Sequence, residues 1–160
     1  MIAPVLSGHR AKDIVESFAF MGDRGHKLLL EKGEHFLNRT PVKEVPEAKK
    51  WASREHPKKK ECFMNAQKFC ISHLNTKYYE GYWAASLVPV WHGWVVLDGK
   101  VIDFTAEACE KYLKKQGHDF PDAETLDYFG VHIPTEFILK RIVDDPVWTD
   151  RLSDYLRTQS

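Results

Sequence analysis

The chain has 160 residues, 43% apolar and 12% aromatic, a composition that suits one globular domain with a real core and argues against disorder. Its 23 basic and 23 acidic side chains cancel, so the overall charge supplies no pull toward nucleic acid or an anionic membrane. A run of about 18 apolar residues that could span a bilayer is lacking, and the opening MIAPVLSGHRAKD is too short and too polar for a signal peptide. Cys62, Cys70 and Cys109 do not have disulfide-framework spacing and read as free thiols of a reducing, cytoplasmic compartment.

From Lys12 to Phe36 the apolar positions Ile14, Phe18, Met21 and Leu28–Leu30 follow a helical period. Gly22 and Gly25 are placed to split this stretch into two helices, and Gly33 to stop it. Asn38 to Pro57 carries three prolines among many charges and predicts a surface connection with a helical turn at Glu47–Ser53. Glu61 to Leu74 reads as a helix with Phe63, Ala66, Phe69, Cys70 and His73 on one stripe. Lys77 to Ser86 and Val88 to Leu97 read as strands, and Asp98-Gly99 is a hairpin turn that returns the chain as a third strand, Lys100 to Phe104. Thr105 suits the N-cap of a helix reaching Gln116, with Gly117 as its stop. Leu126 to Ile133 reads as a short helix and then an extended segment; Thr135 to Val143 and Pro146 to Arg157 read as helices. Helices, a meander and more helices predict an α+β domain with an antiparallel sheet packed on the Cys62 helix. Residues 1–57 form its helical N-terminal region, 58–133 its core, and 134–160 its C-terminal helices.

The chemistry is expected at Cys62, His92 and Asp103. A free thiol of pKa about 8.5 is mostly protonated at neutral pH, and only the thiolate is a nucleophile. The start of a helix offers Cys62 partial positive charge and unpaired N–H groups, one of which could hold an oxyanion. Lys58, Lys59 and Lys60 lie just upstream, and a facing His92 could take the proton. With the turn at Asp98-Gly99, residues whose numbers sum to 197 face each other, so His92 and Asp103 are diagonal neighbours on one face, in reach of a hydrogen bond. Asp103 also suits an Asx turn or a cap for the following helix. Trp91 and Trp94 flank His92 and would exclude water, and Gly93 permits close backbone approach. Cys70 and Cys109 read as packing thiols.

The blocks Cys62-Phe-Met-Asn65-Ala66, Tyr79-Glu80-Gly81-Tyr82, His92-Gly-Trp94 and Gly99-Lys-Val-Ile-Asp103-Phe-Thr105 resemble papain-like and transglutaminase-like cysteine enzymes. They are also similar to a set of small uncharacterised bacterial and phage proteins with C-x-x-N-A, Y-x-E-G-Y, H-A-W and V-x-D-x-T blocks, a set whose downstream block looks like Tyr128-Phe129-Gly130-Val131. The resemblance spans about residues 60–133. It implies a papain-like or transglutaminase-like core, a Cys62 nucleophile, a His92 base and an Asp103 orienter, working without metal or cofactor. The His–Asp spacing is shorter than in typical transglutaminases, Gly93 stands where Ala is usual, and Glu55 and His56 stand where a papain-like glutamine would supply the oxyanion contact. Asn65 is one substitute for that contact, and Glu80 and Trp94 are further candidates for touching substrate.

The activity this implies is hydrolysis or acyl transfer on an amide, ester or thioester of a protein, peptide or small molecule. The alternative is a non-catalytic binding or inhibitor module with a vestigial triad, gripping a host protein or a small ligand through its tryptophans and tyrosines. Zinc held by Cys62, His92, Asp103 and one of His9, His56 or His73 would lack the close ligand pairs that such sites use. Short lysine runs such as Lys58–Lys60 are ordinary solvated surface, so neither nucleic acid nor membrane is expected as a partner.

Overall fold

Gly22, at φ +99°, takes a backbone conformation that L side chains avoid, and it marks the end of the first helix. The computed structural model describes residues 10–84, 89–120 and 127–159. Helix α1 (Arg10–Phe20) buries Ala11, Val15 and Ala19 along one stripe. Helix α2 (Arg24–Lys32) starts at the Asp23 cap, whose carboxylate accepts from the His26 N–H at 2.7 Å. Gly25 therefore lies inside α2 and does not split the helices, while Gly33 does end α2. Beyond it the chain is not helical: Glu34–Leu37 is a strand, β1. Helix α3 (Pro46–Glu55) is a full helix rather than a turn; Pro46 opens it at the position where a missing N–H costs nothing, and Ala48 and Trp51 anchor it in the core.

Helix α4 (Cys62–Ser72) buries Asn65, Ala66, Gln67, Phe69 and Cys70. Strands β2 (Lys77–Trp83), β3 (Val90–Leu97) and β4 (Lys100–Ile102) form the expected meander. The proposed ends of the first two strands at Ser86 and Val88, and the start of the later segment at Leu126, lie outside the described residues. The turn carries positive φ at both Asp98 and Gly99, and Val95 faces Ile102 in the predicted register. Helix α5 (Phe104–Lys115) follows directly, with Asp103 as its N-cap. Thr105 is thus inside the helix, because the strand ends two residues sooner than the sequence suggested. Residues Asp127–Ile133 are wholly extended, β5, with no helical part. Helix α6 (Thr135–Asp144) matches expectation, but the last helix, α7 (Leu152–Gln159), begins well after Pro146.

The fold is α+β: one five-stranded antiparallel sheet, ordered β1-β5-β2-β3-β4. The N-terminal region enters the sheet through β1, which pairs with β5. One sheet face packs Tyr78, Val95, Phe129, Val131 and Ile133 against the helices, with Ala66 and Phe69 of α4 in the same core. The other face is an aromatic layer of Tyr79, Trp83, Trp94 and Tyr128. Gly81 faces Gly130 across β2 and β5. A Cβ on Gly130 would stand 2.5 Å from the Trp94 ring, so the bare backbone there is what lets the Trp94 indole settle onto the sheet beside His92.

Candidate active site

Cys62 is the first residue of α4. The preceding residue, Glu61, makes no side-chain cap, so the helix presents its first N–H groups uncapped beside the thiol. The turn that leads into the helix is held by Asn65, whose amide donates to the Lys58 carbonyl and to Thr105 Oγ1, both at 2.8 Å. This clamp joins the start of α4 to the start of α5. It uses the Asn65 N–H groups internally, so Asn65 fixes the position of Cys62 and offers nothing to an oxyanion.

His92 lies on β3, buried, with Nε2 at 2.7 Å from Asp103 Oδ2. A carboxylate only accepts, so Nε2 carries the proton here and Nδ1 is left for another partner; the Cys62 thiol is near enough to add to the upward push on the His92 pKa. The Trp83 ring lies 4.6 Å from the imidazole, centroid to centroid, and shields it. Burial alone would lower the His92 pKa, but the charge and hydrogen bond of Asp103, aided by Cys62, push it well up. The imidazolium is therefore the favoured form.

Asp103 does two jobs with its two oxygens. Oδ1 accepts from the Ala106 N–H at 2.9 Å and caps α5, while Oδ2 accepts from His92 and, at 3.0 Å, from the Tyr128 hydroxyl. Burial would raise its pKa; the His92 charge and these hydrogen bonds outweigh that and hold it below its ordinary value. The two roles weighed for Asp103 from sequence, helix cap and histidine partner, are filled at once.

Tyr128 was not singled out from sequence, although its block was noticed; its segment read ambiguously, and only the β5–β2 pairing brings it to Asp103. Tyr128→Phe removes one donor from the carboxylate and leaves His92 in place. We expect a stability loss of about 1 kcal/mol and an upward move of the acid limb of Cys62 alkylation against pH, because Asp103 then protonates more readily. Denaturant unfolding and a pH series of alkylation rates check the two effects separately.

The other sequence candidates sit beneath the site rather than in it. Glu80 is fully buried and accepts four hydrogen bonds: Tyr78 hydroxyl and Arg151 N–H at 2.8 Å, Leu152 N–H at 3.0 Å, and Trp91 Nε1–H at 3.2 Å. It is neither a solvent-facing strand residue nor open to substrate; it ties β2 to the start of α7. Trp94 is also fully buried, packed on Tyr79 and Tyr128. The space above Gly93 is filled from within, since a Cβ there would stand 2.9 Å from Tyr78 Oη and 3.1 Å from Phe63. His73 stacks on Phe69 and His56 ends α3, and among the described residues no group of three acidic, histidine or cysteine side chains is arranged to hold a metal; His9 lies outside them.

Two clefts, of about 480 and 470 Å³, are not lined by Cys62 or His92. Among the described residues no helix is long and apolar enough to cross a membrane. No protein-family model, curated protein or solved structure matches the chain.

Proposed function

We propose that the protein is a cysteine-dependent hydrolase or acyl transferase with a papain-like or transglutaminase-like core, acting on an amide, ester or thioester in a reducing, cytoplasmic setting. The observation that carries this reading is the His92–Asp103 pair at 2.7 Å with Cys62 close enough to act on the imidazole, assembled from a helix start, a strand and a helix cap. The cationic ring of His92 stands near the Cys62 sulfur, Asp103 fixes the ring through Nε2, and Nδ1 is free to carry a proton between Cys62 and a leaving group.

In the proposed reaction, Cys62 Sγ attacks the acyl carbon and the carbonyl oxygen becomes an oxyanion near the uncapped N–H groups of α4. His92 gives its proton to the leaving amine, alcohol or thiol, and an acyl-enzyme remains. A water or an amine, deprotonated by His92, then releases the acyl group. A panel of acyl-donor probes bearing amide, ester and thioester leaving groups tests this directly. Intact-protein mass spectrometry is expected to find one acyl group per chain, on Cys62, for at least one donor, and none on Cys62→Ala. Uniform failure of the panel, with Cys62 no more reactive than Cys109, would leave a binding module as the reading.

A further inference from the structure

Helix α5 runs back along the turn that leads into α4, and two contacts fix how the two segments face. Asn65 Nδ2 meets Thr105 Oγ1 at 2.8 Å, and Lys59 Nζ sits 3.0 Å above the Tyr112 ring. These pairs run antiparallel: as the residue number falls in one segment it rises in the other, and the two pairs sum to 170 and 171. Thr105, Cys109 and Tyr112 share one stripe of α5, and Cys62 lies three residues from both Lys59 and Asn65, so the two contacts bracket both cysteines. The Lys60 backbone, two residues before Cys62, and Cys62 itself are both near enough to Cys109 to act on its pKa. Both thiols are partly exposed and free, whereas Cys70 is fully buried in the core.

We propose that Cys62 and Cys109 form a peroxide-modification site, in which Cys62 is oxidised first and Cys109 resolves it as an intramolecular disulfide. The inference rests on the reading of Cys62 as a thiolate paired with His92. The oxidant is hydrogen peroxide or a small organic hydroperoxide. Cys62 Sγ attacks one peroxide oxygen, the O–O bond breaks, and the departing hydroxide, or alkoxide, leaves as water or alcohol with the proton of His92. Cys62 is then a sulfenic acid. Cys109 Sγ attacks the Cys62 sulfur, its thiol proton joins the departing hydroxyl, the S–O bond breaks and water leaves. With hydrogen peroxide, two thiols and one peroxide give one disulfide and two waters; the two sulfurs supply the two electrons.

The geometry gives the two thiols different parts. Cys62 has the imidazolium, which makes it the first to react. Among the described residues Cys109 has no such partner, and burial raises its pKa and favours the thiol. Its sulfur waits beside the turn that leads into α4. The consequence for the enzyme is protection: a sulfenic acid captured as a disulfide is restored by a thiol reductant, whereas one left uncaptured goes on to sulfinic acid and is lost.

The test is peptide mapping of the full-length protein after brief treatment with substoichiometric hydrogen peroxide, under non-reducing conditions, with dimedone present in a parallel sample. The expected result is a Cys62–Cys109 cross-linked peptide in wild type, cleaved by dithiothreitol with return of Cys62 alkylation. In Cys109→Ser the cross-link is absent and dimedone marks Cys62. Dimedone-marked or sulfinic Cys62 in wild type, with Cys109 still free and no difference from Cys109→Ser, would overturn the resolving role while leaving the thiolate standing. A Cys62 that resists peroxide as Cys70 does would overturn both. Because the wild-type map decides by itself, the proposal does not depend on how well the serine variant folds.

Discussion

His92→Ala is expected to slow alkylation of Cys62 at neutral pH sharply and to cut turnover of any acyl substrate by about 10²–10⁴-fold. The argument is local. His92 is the only group among the described contacts that joins Cys62 to a carboxylate, and its cationic form is secured by Asp103. Removing the ring takes away the positive charge near the sulfur and, on the proposed reading, the proton carrier for the leaving group. It also leaves Asp103 buried with only Tyr128 and Ala106 as donors, so some stability is lost as well. Iodoacetamide rates measured on Cys62 alone, by peptide mass spectrometry, separate the two effects. A rate that is unchanged in the folded variant would defeat the catalytic assignment.

Glu80→Ala is expected to be the most destabilising single change at a polar residue, by about 3–5 kcal/mol in denaturant unfolding. It strands two backbone N–H groups, an indole N–H and a phenol in the core, and it frees α7 from the sheet. The same residue sets a pH dependence. Burial pushes its pKa from 4.5 up to about 7, against the pull of the Arg151 and Leu152 N–H groups and Tyr78. A carboxyl whose pKa rises on folding binds its proton more readily in the folded chain. Its contribution is therefore full below pH 4.5 and is lost as pH climbs from 4.5 to about 7. Glu80→Gln should remove that slope, and unfolding curves compared between pH 4.5 and 7 measure it.

The meander was legible because its register is arithmetic: one recognisable turn, Asp98-Gly99, places every residue of β3 and β4, and with them His92 and Asp103. Cys62 at a helix start was legible from the break at Pro57 and the apolar stripe that follows. What escaped is non-local. Strand β1 is four residues long, and its identity comes from pairing with β5, far along the chain. The start of α7 is set by Glu80, 71 and 72 residues away from the N–H groups it caps, while Pro146 offered a nearer, wrong signal. The alternation of β2 places Glu80 with Tyr78 and Tyr82, but alternation cannot say which sheet face the helices cover. That choice decided whether Glu80 met substrate or the core.

One carboxylate, that of Asp103, both starts α5 and holds the imidazole. The two states are linked: where α5 has not nucleated, the aspartate has no fixed direction and the histidine no fixed tautomer. A chain still emerging, or partly melted around residue 103, would therefore carry an ordinary cysteine, slow toward acyl groups and toward peroxide alike. Under the proposed function, reactivity at Cys62 would be a chemical report of completed folding.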